Sequence, residues 1–224
     1  LNALVTTHLA ALPATQVGGL RSTQLAGLTA TSLGALESTD IAALTVTQAK
    51  GFTSTQLGLL DTTQFAALTG TQLSGLSATQ VAGLTTTQVT ALTTTQVAGL
   101  TSTALGGLTT TQATALTSTD LAVLTTTQVK GRTTSQLNVL DTTQLGSLTS
   151  TLVGALSTTQ VSGLSTTQVT ALTSTQVGGL TTTQLASLST TSLNALDTTD
   201  IAALTATQVG GLSSTQLAGL TDTS

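Results

Sequence analysis

Cysteine, methionine, tryptophan and tyrosine are absent from this 224-residue chain, and proline and histidine occur once each. Without cysteine there is no disulfide framework and no thiolate metal site. Charge is scarce too: 5% of residues are charged, against roughly 25% in an ordinary domain. The net charge is -4, and the four cations, Arg21, Lys50, Lys130 and Arg132, are scattered. They cannot form the basic face that nucleic acid requires, so no nucleic-acid partner is expected. Thr and Gln interrupt every apolar stretch well short of the ~20 residues that span a bilayer. A signal-peptide pattern is lacking as well. Disorder is disfavoured, because 39% of residues are apolar and the mean hydropathy is +0.39. The sequence opens on Leu1 without any methionine, which reads as a segment of a longer chain.

What is there is a repeat. With Leu4 at position a of an octet, stepping by eight reaches Leu12, Leu20, Leu28 and so on to Leu220, and 26 of 28 such positions are Leu. The exceptions are Phe52 and Arg132. Position b is mostly Thr or Ser, with Glu37, Asp61, Asp141 and Asp197 as variants. Position d is Thr in 27 of 28 octets, Ser135 being the departure. Position e is usually Gln, replaced by Asp40, Asp120 and Asp200 or by Ser32 and Ser192; f is Val, Leu or Ile with few exceptions. Positions g and h are small, rich in Gly and Ala.

A longer period of 80 residues overlies the octet. It relates Asp40, Asp120 and Asp200, Lys50 and Lys130, Asp61 and Asp141, and Phe52 and Arg132. Its third copy is degraded, with Gly210 in place of the Lys and Leu212 restoring the Leu. Tandem duplication of ten octets explains this; recurrence of charged spots along a fibre is the functional alternative.

Thr and Val favour strands, and a β-solenoid is the competing fold. Position a and position f are five apart, however, so a straight strand would send them to opposite faces. A helix accounts for four columns at once. Position b supplies Thr, Ser or Asp as N-cap, e supplies Gln or Asp at N3 to close a capping box, and a and f form the hydrophobic staple. Thr at d has no assigned role: it either bonds to a neighbouring turn or is a strand signal. One octet buries two sizeable side chains, worth roughly 1.5–3 kcal/mol each. Ordering eight residues costs roughly 1–2 kcal/mol apiece, so stability must come from stacking. The expectation is an all-α solenoid of about 28 octets, each a short capped helix, continuous over residues 1–224 as one domain. Neither Leu1-Asn2-Ala3-Leu4 nor Thr221-Asp222-Thr223-Ser224 departs from the pattern to cap an end.

The octet start Leu92-Thr93-Thr94-Thr95-Gln96-Val97 resembles the Leu-Thr-x-x-Gln-Val opening of the TAL-effector repeat helix. The match covers only this cap. The basic residues and specificity loop of that DNA-binding family are missing, so the resemblance implies a helix start and not DNA binding. Over its whole length the chain is similar to octapeptide-repeat arrays of secreted bacterial surface proteins, which implies a stalk, adhesin or fibre outside the cell or on its surface.

No catalytic, cofactor or metal residue is assigned. His8, at an e position, has Thr7 and Leu9 for neighbours and reads as a substitute for Gln at N3. Hydroxyls abound without a base to activate them, so an enzyme is not expected. Asp197 and Asp200 could be half a cation site, but Ca²⁺ takes six to eight oxygens, and an N-cap with N3 Asp explains them better. Lys50 and Lys130 are expected to pair with Asp residues of adjoining turns. The resulting expectation is a structural spacer, stalk or self-assembling filament whose partner is its own kind, in fibres or lateral assemblies. Phe52 and Arg132 are candidate positions at which that contact differs. Binding of ice or a polysaccharide is the alternative: on a β-solenoid, Thr at b and d would form a row, which capping at b interrupts on a helical one. O-linked sugars on Thr are neither required nor forbidden.

Overall fold

The computed structural model describes residues 6–220, and among them the chain is all-helical, with 27 helices of four to six residues and no strand. The first a position, Leu4, and the end segments 1–4 and 221–224 lie outside the described residues.

Most helices start as the columns predict, the helix Ala14–Val17 after Pro13 being one without a side-chain cap. In the octet from Leu92, Thr93 is extended, at φ -80° and ψ 156°, and the helix Thr94–Gly99 follows. The Gln96 N–H donates to Thr93 Oγ1 at 3.2 Å, while Gln96 Oε1 accepts from the Thr93 N–H at 2.8 Å. Asp serves equally at b: the Gln64 N–H donates to Asp61 Oδ1 at 2.8 Å. Where e is Ala104 or Leu152, only the cap half forms, from Thr101 and Thr149. Where b is Arg21 or Glu37, only the reverse half forms, on Gln24 and Asp40. Both staple columns are interior. Leu92 and Val97 are buried, as are their counterparts through most of the chain.

The helix end needs no unusual backbone. Position h stays right-handed, as at Gly83 (φ -80°, ψ -8°), and the chain then extends through the next cap. No described residue has positive φ. Glycine is therefore present for space. A Cβ on Gly83 would fall 2.6 Å from the Ser54 carbonyl oxygen, and one on Gly99 would strike the Gly70 backbone. At these glycines the helices of adjoining coils approach backbone to backbone, and a side chain there would have to displace its neighbour.

Two compact units divide the chain, residues 1–116 and 117–224. In the first, Ser54–Leu59 packs on Ala30–Gly34 and beneath Ala78–Ala82, and Ser38–Ala43, Thr62–Ala66 and Thr86–Thr90 stack likewise. Each helix thus meets those three octets away, so one coil is three octets. The second unit follows the same rule, with Thr142–Gly146, Thr166–Thr170 and Thr190–Leu193 in one stack.

Phe52 and Arg132 are not surface positions. Both occupy the interior Leu column and are 1% and 3% exposed. They cannot be where an association contact differs, because position a is the N′ member of the staple and is buried through most of the described octets.

Candidate functional site

The most elaborate chemistry in the molecule belongs to the buried e-column glutamines. Gln72 Oε1 accepts from the Thr69 N–H at 2.7 Å, and its Nε2 donates to the carbonyls of Ile41 at 2.9 Å and Leu44 at 2.6 Å. Gln88 reaches Leu57 and Leu60, and in the second unit Gln176 reaches Leu145 and Leu148. Gln80, Gln96 and Gln208 reach carbonyls 30 and 28 residues back; for Gln72, Gln88 and Gln176 the separations are 31 and 28 residues. One carbonyl belongs to position f, in the last turn of a helix, where backbone acceptors lack intrahelical partners. The other belongs to the following a residue, which is extended. One amide therefore closes the start of its own helix and the junction between two helices of the coil below. Sequence reasoning assigned Gln its Oε1 role and missed Nε2, whose partners lie a coil away.

Asp40, Asp120 and Asp200 keep the first role and lack the second. Asp120 Oδ2 accepts from the Thr117 N–H at 2.9 Å, but a carboxylate has no N–H to offer a carbonyl. Asp197 and Asp200 form a reciprocal capping box, the Asp200 N–H donating to Asp197 Oδ1 at 2.8 Å. Burial raises the Asp200 carboxyl above its ordinary value; the Asp197 N–H opposes this and the Asp197 charge adds to it. Among the described residues no three His, Asp or Glu side chains converge as metal ligands would. His8 is exposed on the helix Thr6–Ala10, at its third residue.

The expected lysine pairs do not form. Lys50 and Lys130 are exposed and make no ion pair with a described residue. The acids are already engaged: Asp40 and Asp120 are buried against N-cap amides, while Asp61 and Asp141 hold N3 amides. Arg132 is the reverse case, a buried cation whose Nε, Nη1 and Nη2 all lack a hydrogen-bond partner. Burial lowers its guanidinium from the ordinary arginine range to about 10.

The d column, unassigned from sequence, is exposed in every described octet from Thr7 to Thr215. It bonds to no neighbouring turn. Among the described residues only Thr183 uses its hydroxyl, 3.1 Å from Thr181 Oγ1. On the second unit a shallow groove of about 470 Å³ is lined by Thr142, Thr166, Thr167, Thr170 and Ala171. It offers hydroxyls and methyls, with no titratable group to activate either. No described helix is long and apolar enough to cross a membrane.

No curated protein matches the chain. The ALTTAQ repeat family model matches residues 33–70 and 153–182, one stretch in each unit. The chain is a repeat protein with two stretches similar to the ALTTAQ repeat.

Proposed function

We propose that the chain is a non-enzymatic structural element, a stalk, spacer or self-assembling filament on the cell surface or in the extracellular matrix. The observation that carries this reading is the identity of the contact made by successive octets. Within each unit, buried Gln side chains latch one coil to the one before through the carbonyls of positions f or g and a, so the architecture adds length without adding a new kind of site. The hydroxyls at b are occupied as caps, and those at d have no base beside them. Self-association is supported by the low charge and by the exposed apolar side chains of Leu59, Val123 and Val139 at position h.

Sedimentation velocity with electron microscopy tests the reading. Assemblies well above the 22.1 kDa monomer are expected, with little dependence on salt because few charges take part. A clean monomer at physiological salt would remove the self-assembling filament.

A further inference from the structure

We infer that the helix Thr126–Lys130 is a built-in opening point: it parts from the adjoining coil and closes again while the helices around it stay wound. Both junctions that hold this helix are altered. The junction before it runs through Leu121 and Leu124, at positions f and a, and the e position 31 and 28 residues after them is Leu152. Leu152 lies on Ser150–Ala155, the helix packed against Thr126–Lys130. It is buried and has no side-chain N–H, so it cannot donate to the two carbonyls as a glutamine does. Only the Thr149 half of the box starts its helix. The junction after Thr126–Lys130 runs through Arg132. Its carbonyl keeps a latch from Gln160 Nε2 at 2.7 Å, but its guanidinium is buried with three unpartnered nitrogens.

The 80-residue period supplies the reference. The equivalent helix in the first unit is Val46–Ala49. Gln72 latches the junction before it, at Ile41 and Leu44. Phe52 fills the core after it, and Gln80 Nε2 donates to the Phe52 carbonyl at 2.6 Å. Opening that helix parts two latches and exposes apolar surface. Opening Thr126–Lys130 parts one, and the Arg132 guanidinium gains the water that the core denies it. At this a position hydration therefore favours the open form, whereas at every Leu it favours the closed one. A missing latch by itself does not make an opening point: Ser192 and Asp200 replace the glutamines over both junctions of Thr166–Thr170, yet the core there holds Leu164 and Leu172. The coincidence of a lost latch with an unpaired buried cation sets Thr126–Lys130 apart, and local opening is drawn from the least stabilised part of a fold.

Lys50 and Lys130 are the only lysines in the chain, sit at equivalent exposed positions and are each followed by glycine. A lysine-specific endoprotease therefore reads both helices in one digest. Each site's rate in the folded chain, normalised to its rate in the urea-unfolded chain, measures the population of its open form. Cleavage at Lys130 should be about tenfold faster than at Lys50, or more. R132L and L152Q should each slow it about fivefold, and the double variant should bring it to the Lys50 rate, with cleavage at Lys50 unchanged throughout. F52R is the converse and should speed cleavage at Lys50. Circular dichroism checks folding, and R132L and L152Q decide the question if F52R misfolds. Equal normalised rates, slower cleavage at Lys130, or an R132L variant that slows both sites alike would overturn the inference. A monomer cleaved in the expected pattern upholds it even where the self-assembling filament fails.

Discussion

Two interior residues depart from their columns at a measurable cost. Arg132 stands where the repeat has Leu, with three unpartnered nitrogens in the core. Replacing a buried charge by an apolar group of similar volume is often stabilising by about 1–4 kcal/mol, and Arg132→Leu should raise the denaturant midpoint accordingly. The penalty is constant below pH about 10, where the guanidinium is charged in both states. It relaxes as pH rises beyond that value, because the folded form loses its proton first. Asp200 departs in the other sense. Its folded carboxyl holds its proton more tightly than the unfolded one, so acidification through the folded value stabilises, and the gain is complete once pH falls below the ordinary 3.8. Asp200→Gln should remove that dependence. The new Nε2 would lie 31 and 28 residues after Val169 and Leu172 and give their carbonyls a donor, adding about 1 kcal/mol, readable by urea unfolding at neutral pH.

The short helix is the scale at which the sequence was most legible. Cap, N3 and staple positions lie within five residues of one another, so Thr93, Gln96, Leu92 and Val97 declare their roles through local spacing alone. The Gln latch was not legible, because its partners depend on three octets closing one coil, a property of stacking rather than of any octet. The same ignorance paired Lys50 and Lys130 with Asp residues of adjoining turns, when cap amides already held carboxylates such as that of Asp40. Gln72 offers the direct test of the latch. Gln72→Ala leaves the carbonyls of Ile41 and Leu44 and the Thr69 amide without their partner, at about 1–3 kcal/mol for each buried group left unsatisfied. Gln72→Glu keeps the acceptor but brings a carboxylate oxygen to those carbonyls, so its loss in thermal unfolding should shrink in acid. Spacing between stacked helices has a paired test. Gly99→Ala pushes against the Gly70 backbone and should destabilise by about 1–3 kcal/mol. Gly146→Ala meets nothing within 4 Å and should stabilise by about 0.5–1 kcal/mol.

At the scale of the molecule, equivalence of octets makes length a variable that the fold tolerates. Deleting residues 84–91 removes one whole octet and leaves every column in register; helical circular dichroism should persist, with stability changed by about 1–2 kcal/mol at most. Deleting residues 84–87 turns the interior columns outward downstream of the cut, and cooperative unfolding should be lost. The Gln latch also has a mechanical meaning. Its reach of 28–31 residues means that no latch secures more than the adjoining coil. A pull applied along the chain is therefore resisted by one coil's set of hydrogen bonds at a time, and each release frees about 80 Å of contour from 24 residues before the next set takes the load. A coil of this kind yields at a nearly constant force set by a single turn, and it re-forms from whichever turn remains wound.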